Sequence, residues 1–211
     1  KNFFYASSGS VYGVKTEERV TEDLSLVPIS VYNKTKMTAE RICLSYNNEM
    51  RIVCVRPATV CGYSPRMRFD VVVNMFVLQA FNESRIRVLG GQQVRPNIHI
   101  DDMVRVYEHF IVNDNLEGIF NAGFENVSIL EIAKLISEKY GCLINVSESN
   151  DPRSYRQDST KLLNSGFVVS KKIKDAIDEL WSKLKDGSLQ DSDDWHTVTA
   201  MKKLGLDKVL S

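Results

Sequence analysis

Segments patterned as strands alternate with segments patterned as helices along most of this 211-residue chain. A strand pattern at residues 3–6 is followed by a helix pattern at residues 30–48 and a second strand pattern at residues 51–56. The alternation continues with strands predicted at residues 85–89, 118–122 and 142–147, and helices at 69–82, 128–140, 170–184 and 195–204. Such an order predicts an α/β protein with a mainly parallel sheet, because each helix carries the chain back across the sheet.

Helix starts are marked by short polar residues that can accept backbone N–H groups. Ser128 and Glu131 have the spacing of a capping box at the start of the 128–140 helix. Asp101 or Asp102 is predicted to cap the helix that follows residues 97–100. These residues therefore predict where the two helices begin.

Charge and composition exclude two classes of protein. Lys plus Arg and Asp plus Glu both number 27, so the basic excess that a nucleic-acid binder needs is absent. The longest apolar run, residues 69–81, is interrupted by Asp70, Asn74 and Gln79 and is too short to span a bilayer. We therefore expect neither a nucleic acid nor a membrane among the partners.

The cysteines and the first residues indicate the setting of the chain. Cysteines at positions 43, 54, 61 and 142 include no CxxC pair, which predicts buried free thiols of a cytoplasmic protein and no metal site. The sequence opens inside a strand pattern and without an initiator Met. We expect it to be a piece of a larger protein.

Tyr32 and Lys36 give the strongest chemical signal. They stand four residues apart in a predicted helix, so their side chains share one face. Ala39, Cys43 and Tyr46 continue this face, which predicts that it points inward. An ammonium group beside a phenol stabilises the phenolate, so the pair can take a proton from a substrate hydroxyl. Taken alone the spacing is weak, because Lys36 could equally reach solvent.

Polar residues follow two of the predicted strands. Ser7 and Ser8 come after the first strand, and Thr59, next to the small residue Ala58, follows the second. Carboxyl ends of parallel strands are where α/β sheets bind ligands. Together with Tyr32, these positions predict an active site at that edge.

Five motifs occur in order between about residues 3 and 185: Ser7-Ser8-Gly9-Ser10-Val11-Tyr12-Gly13, Tyr32-x-x-x-Lys36, Arg56-Pro57-x-x-Val60-x-Gly62, Gly90-Gly91 with Arg95-x-x-x-His99-x-Asp101-Asp102, and Asp151-x-Arg153-x-Tyr155. This series resembles the extended short-chain dehydrogenase/reductase family, in its NAD-dependent nucleotide-sugar epimerase/dehydratase branch. The resemblance implies a Rossmann-type doubly wound parallel sheet with a smaller α/β substrate-binding domain. Residues 1–62 and about 98–122 would belong to the first domain, and 63–97 and 123–211 mainly to the second.

The resemblance also implies roles for site residues. Ser8, Tyr32 and Lys36 match the catalytic residues, and together with Ala58 they match residues that contact NAD. Substrate-binding positions are matched by Asn74, Arg95 and Arg153. Alternatives stay open for two of these, since Asn74 could be a helix residue whose side chain is satisfied by neighbours and Arg153 could pair with Asp151 or Asp158. His99 is expected to satisfy a core hydrogen bond, and a homodimer is implied.

The family pattern is incomplete in this chain. The Gly-rich loop and the acidic residue that follows it are absent, so NAD is expected as cofactor and NADP stays open. Gly9 and Ser10 stand where 4,6-dehydratases of the family have Asp and Glu. The sequence thus favours C4 epimerisation of a nucleotide-diphosphate hexose through a transient 4-keto sugar. A nucleotide-sugar reductase or 4,6-dehydratase is the alternative within the family, and a non-catalytic Rossmann-type binding protein is the alternative of another class.

Overall fold

The structure is a computed structural model that describes residues 1–149 and 154–206. The larger elements follow one another in the order β1 (Asn2–Ala6), α1 (Val31–Leu44), β2 (Arg51–Pro57), β3 (Thr59–Cys61), α2 (Val72–Glu83), β4 (Arg85–Leu89), β5 (Val94–His99), α3 (Ile100–Val112), β6 (Gly118–Ala122), β7 (Glu125–Ser128), α4 (Ile129–Tyr140), β8 (Leu143–Ser147), α5 (Thr160–Asn164), α6 (Ile173–Lys185) and α7 (Thr197–Lys203). The predicted α/β class is confirmed, and so are most predicted elements.

Three parallel strands form the first sheet, in the order β1, β2, β6. The strand β2 lies in the centre and is buried along its length, as expected for a strand covered on both faces. Its register pairs Ala6 with Val55 and Pro57 with Ala122, so the carboxyl ends of the three strands meet at one edge. The site lies at this edge.

Two smaller sheets complete the fold. The second sheet has the order β3, β5, β7, with β3 parallel and β7 antiparallel to β5, and the third pairs β4 with β8 in parallel. The sequence pattern did not indicate β3 or β7. Both are short, three and four residues, which leaves too few positions for a period-two pattern to be recognised.

Apolar side chains collect in two buried clusters. One surrounds the first sheet and α3, with Val53, Val55, Val106, Phe110 and Phe120 among its members. The other lies between α2, α4, α6 and the β4–β8 pair, and its largest buried residues are Phe69, Phe76, Ile132, Ile177 and Leu180. The domain boundaries given above remain a prediction.

Helix caps confirm one prediction and correct another. The capping box of Ser128 and Glu131 is present, with both reciprocal hydrogen bonds at 3.2 and 2.8 Å. The prediction that Asp101 or Asp102 caps α3 is wrong, because the cap is His99, whose Nδ1 accepts the Asp101 N–H at 3.1 Å. Asp102 is buried instead and accepts the backbone N–H groups of Ser170 and Lys171. This hydrogen bond of His99 agrees with the structural role expected for it.

The cysteines agree in part with the expectation of buried free thiols. All four cysteines are free, and three are buried, while Cys43 is only half-buried at the surface of α1. No helix within residues 1–149 and 154–206 combines the length and the apolar character needed to cross a bilayer.

Candidate active site

A cleft of about 820 Å³ opens at the carboxyl ends of β1 and β2 and extends past β3. Several residues singled out in the sequence line it, namely Ser7, Ser8, Tyr32, Ala58, Thr59 and Asn74. The segment after β3 and the start of α2 form the opposite wall. The structure therefore brings the motifs of the first two strands and of α1 together in one place.

Tyr32 and Lys36 lie together as the spacing predicts, but their face is not the inward one. The Tyr32 side chain is 56% exposed, and Lys36 Nζ lies 5.8 Å from the centre of its ring. The residues of α1 that are buried are Asn33 and Glu40, so the inward prediction for the Tyr32 face is wrong. These two polar residues occupy the interior because each finds a hydrogen-bond partner there, the half-buried Ser10 for Asn33 and the buried Arg56 for Glu40.

Lys36 ties α1 to the end of the first strand. Its Nζ donates a 2.8 Å hydrogen bond to the carbonyl oxygen of Ala6 and lies 5.2 Å from the centre of the Tyr5 ring. Ala6 is the last residue of β1 and directly precedes the Ser7-Ser8 pair. The contact therefore fixes the Tyr32 helix relative to the loop that carries Ser8.

Ser8 stands at the start of a short 3-10 helix, Gly9–Tyr12. It is half-buried, and its Oγ accepts the backbone N–H of Ser10 at 3.2 Å. The loop then turns at Gly13, whose φ is +75°, and a Cβ there would lie 2.0 Å from the carbonyl oxygen of Val27. Only glycine fits this turn, which follows the 3-10 helix that begins after Ser8.

A buried ion pair connects α1 with β2 next to the cleft. Arg56 on β2 donates from Nη2 and Nε to the Glu40 carboxylate at 2.5 and 3.0 Å, and both side chains are 2% exposed. Arg56 Nη1 also donates to the Tyr12 hydroxyl at 2.7 Å. Burial by itself lowers the pKa of Arg56, but the bonds and charge of Glu40 and Tyr12 raise it above its usual value, so the guanidinium stays charged.

Tyr12 extends this network towards the last strand of the first sheet. Burial raises its pKa to about 12, against the opposing effect of Arg56, so the hydroxyl keeps its proton. That hydroxyl donates to Asn121 Oδ1 at 2.8 Å, and the Gln157 amide donates to the same oxygen at 3.0 Å. The loop after β1 is thereby joined to β2 and β6.

The floor of the cleft is formed by a close backbone approach at Ala58. Its N–H donates to the carbonyl oxygen of Ala122 at 2.8 Å. A Cβ on the neighbouring Gly123 would lie 2.6 Å from the Ala58 Cβ and 2.9 Å from Gln157 Oε1. Position 123 therefore requires glycine, and this close packing holds Ala58 in place at the cleft.

The three predicted substrate-binding residues fare differently. Asn74 lines the cleft, but its amide accepts from Gly62 N at 3.0 Å and donates to Arg68 O at 2.9 Å, as the structural alternative expects. Arg95 lies on β5, pairs in register with Val127 and is not among the cleft-lining residues. Arg153 lies outside the described residues. The substrate-binding roles of all three stay predictions.

Two arginines that the sequence reading missed do line the cleft, Arg66 and Arg68. Arg68 pairs with Asp70 at 2.6 Å, whereas Arg66 is exposed and makes no ion pair within the described part of the chain. Both follow Gly62 in the loop after β3, so a search of the residues beyond each strand end would have found them. A guanidinium group facing a cleft is well suited to bind phosphate.

The residues of the cleft fit one end of a nicotinamide cofactor. Ser7 Oγ is buried there without a hydrogen-bond partner among the described residues, which leaves a polar atom for a bound molecule. Tyr32 adds a hydroxyl suited to ribose, whereas Lys36 is not among the cleft-lining residues and its Nζ donates to the carbonyl oxygen of Ala6. The printed sequence has no Gly-rich turn opening a helix, so nothing in it matches the usual site for the pyrophosphate.

Comparison with known proteins gives a family match over most of this region. The family model described as "NAD dependent epimerase/dehydratase family" matches residues 1–123. The uncharacterized UDP-glucose epimerase YtcB of Bacillus subtilis (strain 168) is 34% identical over 144 residues, which cover 67% of this chain and 45% of that protein. ADP-L-glycero-D-manno-heptose-6-epimerase of Brachyspira hyodysenteriae is 32% identical over 146 residues, 65% of this chain and 46% of the relative. The chain thus spans about half the length of these curated relatives.

Among solved structures, UDP-glucuronic acid 4-epimerase from Bacillus cereus, in complex with UDP-glucuronic acid and NAD, superposes with a TM-score of 0.76. It is 28% identical, and the match covers 88% of this chain and 62% of that one. UDP-N-acetylglucosamine 4-epimerase from Methanobrevibacter ruminantium M1 gives a TM-score of 0.80 at 19% identity, covering 89% and 64%. At that identity the second match shows the fold alone.

Proposed function

Because the chain belongs to the NAD dependent epimerase/dehydratase family, we propose that the full-length protein interconverts C4 epimers of a nucleotide-diphosphate hexose through a transient 4-keto sugar, with NAD as cofactor. The observation that carries the proposal is the composition of the cleft wall. Ser8 and Tyr32 both line the cleft, whereas none of the described residues that line it is Asp or Glu. Within residues 1–149 and 154–206 the cleft therefore suits proton removal at one hydroxyl and offers no carboxyl pair for elimination of water.

Tyr32 is the group proposed to take the proton of the sugar hydroxyl. Its ring is exposed at the mouth of the cleft, where a substrate can reach the phenol oxygen. The positive charge of the Lys36 ammonium lies close to this group, since its Nζ is 5.8 Å from the centre of the Tyr32 ring. Bound NAD would supply the reversible oxidation, since nicotinamide accepts hydride from a carbon and returns it.

Ser8 is proposed to hold the reacting oxygen from the other wall. A hydroxyl group both donates and accepts hydrogen bonds, so it can serve the sugar hydroxyl and the keto oxygen in turn. A pre-placed donor at an oxygen that changes its charge lowers the barrier more than a mobile water does. The short 3-10 helix and Gly13 give Ser8 this fixed place.

The nucleotide end is proposed to lie towards the loop after β3. Arg66 faces the cleft there, and a diphosphate is the part of the substrate that calls for a guanidinium. Arg95, Asn74 and Arg153 remain proposed contributors from the family resemblance. YtcB, the heptose epimerase and the B. cereus enzyme carry epimerase in their names and support this reaction class, while UDP-glucuronic acid decarboxylase 2 of Arabidopsis thaliana represents another class among the relatives.

The test is an NMR survey of the full-length protein with UDP-, GDP-, CDP- and dTDP-hexoses. We expect one of them to equilibrate with its C4 epimer, and Tyr32→Phe under the same conditions to show no conversion. The 4,6-dehydratase alternative predicts a different product, a 4-keto-6-deoxy sugar, and its accumulation would contradict the proposal. Binding of nucleotide sugar without turnover would favour the non-catalytic alternative.

A further inference from the structure

Three polar side chains connect the loop after β1 with helix α1 inside the cleft. Ser8 Oγ lies 2.7 Å from Ser10 Oγ, and Ser10 Oγ donates to Asn33 Oδ1 at 2.8 Å. Asn33 is 6% exposed and directly follows Tyr32 in the helix. A continuous chain of hydrogen bonds therefore runs from the Ser8 hydroxyl to Asn33, the residue next to Tyr32.

Asn33, the last residue of this chain, determines which hydroxyl is the donor in each of its hydrogen bonds. A serine hydroxyl has one proton, and that of Ser10 is donated to the Asn33 carbonyl oxygen. In the contact between the two hydroxyls, Ser8 must therefore be the donor. Ser8 Oγ also accepts the Ser10 N–H, which leaves it one lone pair for the cleft.

This arrangement holds Ser8 without consuming its ability to change partner. Before Tyr32 takes the proton, the sugar hydroxyl can donate a hydrogen bond to the remaining lone pair of Ser8, and the proton itself passes only to Tyr32. When that oxygen becomes a keto oxygen, the Ser8 O–H can turn from Ser10 to the sugar, and the Ser10–Asn33 bond persists unchanged. One hydrogen bond replaces another, so the turn costs little.

Asn33 itself is fixed at the start of α1. Its backbone N–H donates to the Ser30 hydroxyl at 3.1 Å, which caps the helix. A displacement of α1 relative to the loop would therefore break the chain at Ser10. The hydrogen bonds among these three side chains therefore hold Ser8 in a fixed position relative to Tyr32, which backbone contacts alone do not do.

We propose that Ser10 and Asn33 are positioning residues that act through Ser8, holding its oxygen at a fixed place from which its lone pair, and after the turn its O–H, can reach the reacting oxygen of the substrate. The inference rests on the proposed function, because it needs a reaction at that oxygen. It assigns Ser10 a task different from the proton transfer that a carboxylate at this position would perform, since a serine held by Asn33 neither gains nor loses a proton near neutral pH.

The experiment is a double-mutant cycle in the full-length protein with Ser8→Ala, Ser10→Ala and the double variant, on the hexose that the wild type converts. We expect Ser10→Ala to lower kcat about three- to tenfold, the size of one hydrogen bond, with KM changed less than twofold. In the Ser8→Ala background the same change should have less than a twofold effect, because its target is gone. Asn33→Ala should follow the same pattern.

Two control variants separate positioning from general loss of structure. Ser10→Thr keeps the hydroxyl and should restore kcat to within about twofold of the wild type, as expected when one hydrogen bond is retained. Ser45→Ala removes a hydroxyl that bonds Ile42 O at 2.8 Å near the far end of α1, and should change neither constant. Circular dichroism and the thermal midpoint establish that each variant is folded, and Asn33→Ala carries the test if Ser10→Ala is not.

Two results would overturn the inference. Equal losses from Ser10→Ala with and without Ser8 would mean that Ser10 contacts the substrate on its own. A parallel rise of KM and fall of the thermal midpoint, with no change in kcat, would mean a purely structural role. The proposed function fails separately, when the wild type converts no nucleotide hexose at all, and in that case the positioning role falls with it.

Discussion

Replacing Arg56 by Met is expected to destabilise the protein strongly, because it breaks the most buried ion pair among the described residues. The variant would leave the Glu40 carboxylate, which is 2% exposed, without its 2.5 and 3.0 Å partners. It would also remove the donor at 2.7 Å from the Tyr12 hydroxyl. Loss of one partner of a buried pair costs about 3–5 kcal/mol, mainly because the other charge stays buried and unpaired.

The measurement is urea unfolding of the full-length protein, analysed by linear extrapolation, with the slope compared between variants. Two controls bracket the expected value. Lys139→Met breaks the pair with Asp178, also at 2.5 Å but about half exposed, and should cost no more than about 1 kcal/mol. The double variant Glu40→Leu and Arg56→Met removes both charges and should regain most of the loss.

The ion pair also has a consequence for turnover, because Glu40 lies on the helix that carries Tyr32 and Arg56 lies on β2. The double variant restores stability without the bonds that fix α1, so we expect its kcat to stay below that of the wild type. A cost below about 1 kcal/mol for Arg56→Met would refute the reasoning. It would mean that Glu40 finds water or another partner when the guanidinium is lost.

Three further predictions concern the cleft. Tyr32→Phe should lower turnover by about 10²–10⁴-fold with substrate binding nearly intact, and near-full activity would contradict its role as the base. Arg66→Ala should weaken nucleotide-sugar binding by about 1.5–3 kcal/mol in calorimetry, and a loss seen only with Arg95→Ala would move the diphosphate site to β5. Gly123→Ala should lower the free energy of unfolding by about 1–3 kcal/mol, because its Cβ would meet Ala58 at 2.6 Å; an unchanged unfolding midpoint would show that the cleft floor yields.

The sequence by itself determined the features that depend on residues close together in the chain. The alternation of elements, the Ser128–Glu131 capping box and the pairing of Tyr32 with Lys36 all follow from spacing over a few positions. Helical geometry fixes which residues share a face, and this is why these predictions were confirmed. The motifs likewise placed Ser8 and Ala58 at the edge where the cleft opens.

Only the tertiary structure decided which of the shared faces is buried and which arginines reach the cleft. Apolar periodicity favoured the Tyr32 face of α1, but the interior takes Asn33 and Glu40 because Ser10 and Arg56 supply hydrogen-bond partners from elsewhere in the chain. A buried polar residue is stable only where such a partner exists, and its position depends on how the helix docks on the sheet. Spacing along one helix carries no information about the side chains that another strand presents to it.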